Sequence, residues 1–285
     1  MIQFGLRLHD AAKLPLKEQL AAVREQGFTC VHIALSKLQG MTADPAALTP
    51  GYAMYLKRAF ADAGLDIAVL GNYLNLATPD PDALKRNQEK YTAHLRFASL
   101  LGAGVVGTET GNPNTDYKYD PETSHSDEAL ETFITNLRPV VRDAERFGVI
   151  LAIEPVWRHI VYSPQRARQV LDVIDSPNLQ IIFDPVNLLD EANEFRREEV
   201  FADAIALLEK NIAVIHLKDY QRETGPRTCM AAGLGDMDYT PILKFANEKK
   251  PHIQATLENT RPENAVQARE FLVNLEHSLQ KEEQR

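Results

Sequence analysis

Four apolar runs in the second half of the chain each end on a residue that can bind a cation or move a proton. They are Leu151-Ala-Ile-Glu154-Pro155, Ile181-Ile-Phe-Asp184-Pro185, Val214-Ile-His216-Leu217-Lys218 and Ala255-Thr-Leu-Glu258-Asn259. Glu154, Asp184, His216 and Glu258 are separated by 30, 32 and 42 positions. This near-regular spacing suits one reactive group at the end of each of four successive strands, all facing one point. Three carboxylates at the edge of an apolar interior repel one another and lose hydration, so they call for a neutralising cation. Taken singly, a strand-end acid is more often a helix cap or an ion-pair partner; the set of four is what points to a metal. Three oxygen donors and one imidazole suit Mn²⁺, Mg²⁺ or Co²⁺ better than Zn²⁺.

The elements that must position these groups follow a repeating pattern of helix, Gly, apolar run and polar turn. It is seen at Glu25-Gln-Gly27-Phe28, Asp62-Ala-Gly64-Leu65, Leu100-Leu-Gly102-Ala103 and Arg146-Phe-Gly148-Val149. Glycine there suits the left-handed cap that ends a helix. Strands are expected at 2–6, 30–35, 67–71, 105–108, 150–153, 179–183, 212–217 and 253–257. Continuously apolar runs such as Val149-Ile-Leu-Ala-Ile153 indicate parallel strands covered on both faces. Between them, apolar residues at i, i+3 and i+4 predict helices at 16–25, 52–63, 81–101, 127–147, 164–174, 200–208, 241–248 and 265–277. Ser126, Ser163 and Thr240 stand where capping hydroxyls belong, the last two before Pro. Eight such units average about 36 residues each, close to one repeat of a (β/α)8 barrel. The reading is α/β, a single (β/α)8 TIM barrel over residues 1–285 with a solvated C-terminal tail from about 278. A doubly wound open sheet would want a Gly-rich loop after the first strand, where the chain reads Arg7-Leu-His-Asp-Ala-Ala-Lys13.

Composition narrows the function classes. With 31 Lys+Arg against 40 Asp+Glu and a net charge of -9, the chain has the wrong sign for phosphate backbones or anionic lipid, so neither nucleic acid nor membrane is an expected partner. No apolar run reaches the 18 residues of a spanning helix, and the N-terminus lacks the pattern of a signal peptide. Two cysteines, Cys30 and Cys229, in a chain of 285 residues make a disulfide framework improbable and fit a reducing, cytoplasmic location.

The motifs Ile153-Glu154-Pro155, Phe183-Asp184-Pro185, Ile215-His216-Leu217-Lys218-Asp219, Gly233-Leu-Gly235-Asp-Met-Asp238-Tyr239 and Leu257-Glu258-Asn259 resemble the xylose isomerase-like sugar phosphate isomerase/epimerase superfamily, nearest to its ketose 3-epimerases. The order and placement match over nearly the whole chain, most specifically from Glu154 onward. The resemblance implies that Glu154, Asp184, His216 and Glu258 bind a divalent cation, commonly Mn²⁺, and that Glu154 and Glu258 also transfer protons. It departs in two places. Asn187 stands where the ketose 3-epimerase pattern has a His three residues after the aspartate, and the second acid after Glu154 is replaced in Val156-Trp-Arg158-His159-Ile160; Arg222 does match the pattern's arginine.

The resulting expectation is isomerisation or epimerisation of a ketose or ketose-like sugar through a metal-stabilised enediolate, with one glutamate removing a proton and the other returning it. The main alternative is a lyase on the same metal site, inosose dehydratase-like or keto-glycoside-cleaving. An endonuclease IV-like phosphodiesterase fits the acidic charge poorly, and a sugar-binding barrel without turnover is a further rival. Substrate contacts are expected from Asn72, Glu109, Arg158, His159, Asn187, Lys218 and Arg222, all placed after strands. Tyr73 and Trp157 could wall a sugar ring, and the long stretch from Tyr220 to Asp238 could close over it. Lys218 has a second possible role as a Schiff-base nucleophile, although beside three carboxylates its amine would stay charged. The substrate is a small carbohydrate, and a homo-oligomer is possible.

Overall fold

The computed structural model describes residues 1–221 and 228–283. In chain order the elements are β1 (Gln3–Arg7), α1 (Leu16–Glu25), β2 (Cys30–Ile33), α2 (Pro50–Asp62), β3 (Asp66–Gly71), α3 (Pro81–Leu101), β4 (Val105–Glu109), α4 (Pro121–Ser124), α5 (Asp127–Phe147), β5 (Ile150–Glu154), α6 (Pro164–Ile174), β6 (Leu179–Phe183), α7 (Arg197–Leu208), β7 (Ile212–Leu217), β8 (Asp219–Gln221), β9 (Thr228–Met230), α8 (Thr240–Lys249), β10 (Gln254–Leu257) and α9 (Ala265–Glu283). Eight strands close into a parallel barrel in the order β1-β10-β7-β6-β5-β4-β3-β2, the expected (β/α)8 architecture with β10 as its eighth strand.

The apolar runs are buried on both faces. Inside the barrel, Val69, Val105, Ala152, Ile182 and Val214 form a compact plug; outside, larger residues pack under the helices. The plug tolerates little extra volume. A Cβ added at Gly107 would come within 2.7 Å of both Ile182 Cδ1 and Val69 Cγ1. Gly107→Ala is therefore expected to lower stability by about 1–3 kcal/mol in urea unfolding, through overpacking alone.

Helix ends follow the sequence signals. The side chains of Asp80, Ser126 and Ser163 each accept a backbone N–H in the first turn of α3, α5 and α6, and Gly102 and Gly148 close α3 and α5 at φ of +79° and +66°. Strand register then sets lateral neighbours, with Arg7 opposite His32, Glu109 opposite Glu154 and Thr256 opposite His216.

Three expectations need correction. Thr240 does not cap α8: it is already the first helical residue, and its N–H donates to Asp238 Oδ1 at 2.9 Å. The long stretch after β7 contains two short antiparallel strands, β8 and β9. Its return is tied down by the buried Asp219 carboxylate, which accepts the N–H groups of Gly233 and Met237 at 2.9 Å each. Of the residues expected in a solvated tail from about 278, Leu279 is instead part of the core. α9 continues to Glu283 with Leu279 buried in the core, and Glu276 Oε1 accepts the Ile2 N–H at 2.9 Å. Both cysteines are free thiols. Among the described residues no helix is long and apolar enough to cross a membrane.

Candidate active site

The barrel delivers the four strand-end groups to one place. Glu154 is the last residue of β5, Asp184 and Glu258 directly follow β6 and β10, and His216 is the penultimate residue of β7. Each is 5% exposed or less. His216 Nδ1 lies 3.3 Å from Glu154 Oε2 and 3.4 Å from Glu258 Oε1. Lys218 Nζ lies 2.6 Å from Asp184 Oδ2 and 3.3 Å from Glu258 Oε2. Donor atoms of Glu154, Asp184 and His216 fall within 4.8 Å of one another, as do those of His32, His216 and Glu258, so His216 belongs to both triads.

These residues fit a divalent cation. Nε2 of the fully buried His216 has no hydrogen-bond partner, while Nδ1 meets only the carboxylates of Glu154 and Glu258, an arrangement a bound cation would satisfy. The neighbouring carboxylates are the hard oxygen donors such a cation prefers. The local electrostatics show how strongly these groups act on one another. Burial, reinforced by Glu154 and Glu258, raises Asp184 to about 6 in spite of Lys218. Burial would lower His216, yet Glu154 and Glu258 lift it to about 9. Burial likewise pushes Glu258 up, but His216, Lys218 and Arg7 hold it well below the carboxylate range. For Lys218, burial works against the charge, while Asp184 and Glu258 more than restore it. An ammonium kept charged in this way is no Schiff-base nucleophile.

Lys218, Glu109, Arg158 and Asn187 line a cavity of about 330 Å³ together with Glu154, Glu258 and Tyr73. Asn187 does more than wait for a hydroxyl. Its Nδ2 donates to Glu154 Oε1 at 2.6 Å and its N–H donates to Asp184 Oδ1 at 3.1 Å, so one residue orients two carboxylates. Asn187→Ala is expected to lower turnover by about 10–100-fold, the usual effect of losing a partner that orients a ligand; steady-state kinetics at saturating Mn²⁺ would measure it. Glu109, facing Glu154 across the β4–β5 pair, is raised to about 7 by burial and then by Glu154.

Two expected contacts sit elsewhere. His159 and Asn72 are buried but are not among the residues lining this cavity. His159 lies behind Glu109, with Nδ1 3.8 Å from Glu109 Oε2 and its ring edge-on to Tyr117. Burial, with Arg158 adding, lowers its pKa to about 3. The unfolded chain protonates this histidine below about pH 6.5, whereas the folded chain refuses the proton until about pH 3. Stability contributed by neutral His159 is thus full above pH 6.5 and falls as the pH drops through that window. His159→Gln is expected to flatten this acid loss in urea unfolding measured from pH 7 to 4. Arg222 lies outside the described residues.

Two residues escaped the sequence reading. Arg7, ending β1, places Nη1 3.2 Å from Glu258 Oε2 while its Nε pairs with Asp10 at 2.8 Å. His32, in β2, stacks on His216 at 5.2 Å and contacts the Tyr73 hydroxyl through Nε2 at 3.0 Å. The same strand-end rule applied to Phe4-Gly-Leu6-Arg7 would have found Arg7, whereas His32 lies inside the run Cys30-Val-His32-Ile33.

Fold and site together define a (β/α)8 barrel with an acidic and imidazole centre at the carboxyl ends of its strands, the end where such barrels carry their chemistry. A family model described as xylose isomerase-like TIM barrel matches residues 20–275. The chain belongs to that family. No curated protein matches the sequence. Among solved structures it is similar to 3-keto-D-glucoside 4-epimerase YcjR from E. coli, with 17% identity, 96% of this chain and 100% of that chain covered, and a TM-score of 0.75. An L-ribulose 3-epimerase gives 17% identity, 100% and 97% coverage and a TM-score of 0.75. The probable 3-DHS dehydratase AsbF from Bacillus anthracis gives 15% identity, 98% and 97% coverage and a TM-score of 0.71. At these identities the likeness is one of fold.

Proposed function

We propose that this protein is a divalent-metal-dependent carbohydrate isomerase or epimerase that moves a proton beside the carbonyl of a ketose or ketose-like sugar. The observation that carries this reading is the convergence of two glutamates on one imidazole: Glu154 and Glu258 each come within 3.4 Å of His216 Nδ1. They arrive from β5 and β10, which lie on opposite sides of β7 in the barrel order. Glu154, Asp184, His216 and Glu258 would hold the cation, Mn²⁺ in first place. When bound, it polarises neighbouring substrate oxygens and makes the intervening C–H more acidic.

The chain's own groups perform the transfer. One glutamate takes the proton from carbon, and the other, starting protonated, delivers one to the opposite face, which inverts that centre. The two protonation states are then exchanged and reset through solvent. Asn187 fixes Glu154 through its 2.6 Å hydrogen bond. Arg7 and Lys218, at 3.2 and 3.3 Å from Glu258, set the charge on that glutamate. The net charge of -9 supports a small neutral sugar over nucleic acid or an anionic membrane, and the two free thiols are compatible with a reducing, cytoplasmic location.

Likeness to solved sugar epimerases adds weight to this reading. Likeness to the probable dehydratase AsbF favours a second one, elimination from the same carbanion when the adjacent carbon carries a leaving group. Incubating the Mn²⁺-loaded protein with ketoses, 3-keto sugars and inososes in D₂O separates them. Deuterium at one carbon of an otherwise intact sugar is the expected result. Loss of water or of an aglycone moves the assignment to a lyase, and exchange with no panel member contradicts both readings.

A further inference from the structure

Beside the catalytic cavity lies a second chamber of about 570 Å³. Val156, Arg158, Asn187 and Cys229 line both spaces, so the two adjoin. A single six-carbon sugar leaves this larger space unused. We infer that the substrate's sugar carries a second, uncharged aromatic or apolar group, a glycoside's aglycone, and that this chamber binds it. The inference rests on the sugar-isomerase reading above.

The chamber's surfaces match such a group. Val156 and Val186 present apolar walls, and the protein's single tryptophan, Trp157, offers a half-buried ring. Trp157 is held before any ligand arrives. Its N–H donates to the Asn187 carbonyl at 2.7 Å, its carbonyl contacts His125 Nε2 at 2.9 Å, and its ring lies edge-on to Tyr119. The far wall is equally fixed, because Asp190 Oδ1 accepts the N–H groups of Ala192 and Asn193 at 2.8 Å each. A preformed apolar pocket spends less affinity on ordering. Among the described residues, Asp190, Glu191 and Glu194 line it together with Arg158, a balance that disfavours a phosphate or carboxylate on the bound group.

Because Trp157 is the sole tryptophan, its fluorescence reports this chamber directly. The test titrates Mn²⁺-loaded protein with phenyl glycosides and with methyl glycosides of the same sugars. Phenyl compounds are expected to change Trp157 emission and to bind at least about tenfold more tightly, as burial of a ring's apolar surface implies. Ala192→Phe, filling the chamber from an exposed position, should bring the two series within about twofold. A carboxylate placed on the phenyl ring should likewise weaken binding. Equal affinity of both series in the unaltered protein, including no binding by either, overturns the inference, as does a phenyl preference untouched by Ala192→Phe. Failure here with deuterium exchange intact in free sugars leaves the isomerase reading standing. A phenyl preference without exchange in any sugar keeps the chamber and removes the chemistry.

Discussion

Glu154→Gln and Glu258→Gln proteins should fold as the parent does and lose sugar interconversion by about 10²–10⁴-fold at saturating Mn²⁺, the range a positioned acid–base group supplies. Glutamine keeps the size of the buried side chain, and at position 154 it still offers an oxygen to Asn187 Nδ2. The two variants should differ in a way that only a two-base arrangement produces. Each retains deuterium exchange into the one epimer whose C–H faces the surviving glutamate, and the favoured epimer is opposite in the two proteins. NMR in D₂O resolves this. Undiminished interconversion in either variant would refute the assigned roles, and exchange into the same epimer in both would point to a single base.

The second large effect concerns stability. Burying Glu154, Asp184 and Glu258 around His216 places repelling charges where water cannot screen them. A cation that binds only the folded barrel at about 100 times its Kd stabilises it by about 2.7 kcal/mol. For a chain of 285 residues that corresponds to a rise in Tm of about 4–5 °C. Mn²⁺ should produce this rise, a chelator should reverse it, and His216→Ala should abolish it, all read by calorimetry. An equal response in His216→Ala would place the ion elsewhere. Lys218 should mark the change: its ion pair with Asp184 at 2.6 Å competes with any cation for the same oxygen.

Much of the barrel was legible because its strands are buried on both faces. A charged residue closing a run such as Leu151-Ala-Ile-Glu154 stands out against an apolar background, and the run's length fixes the strand. That signal found His216 and the three carboxylates gathered around it. Arg7 and His32 were harder, since Arg7 follows only a short run at the chain's start and His32 lies inside a run instead of ending it. The β8–β9 hairpin left no trace because its three-residue strands, Asp219-Tyr-Gln221 and Thr228-Cys-Met230, have no apolar alternation; a carboxylate at Asp219 holds the segment instead. The end of α9 was misread for a different reason. The charged run Lys281-Glu-Glu-Gln-Arg285 points to solvent, while Leu272, Leu275 and Leu279 carry the helical stripe onward to the core. Asn187 shows the limit of reading one position at a time. Its residue type suggested a substrate hydroxyl, but only three-dimensional proximity reveals that it spans Glu154 and Asp184.

The most direct test of the metal-centred account is anomalous diffraction from crystals of the Mn²⁺-loaded protein. The expected result is one anomalous peak bounded by Glu154, Asp184, His216 and Glu258, with the Lys218 ammonium withdrawn from Asp184. A map with no peak among these four residues, and Lys218 still bridging Asp184 and Glu258, would contradict it.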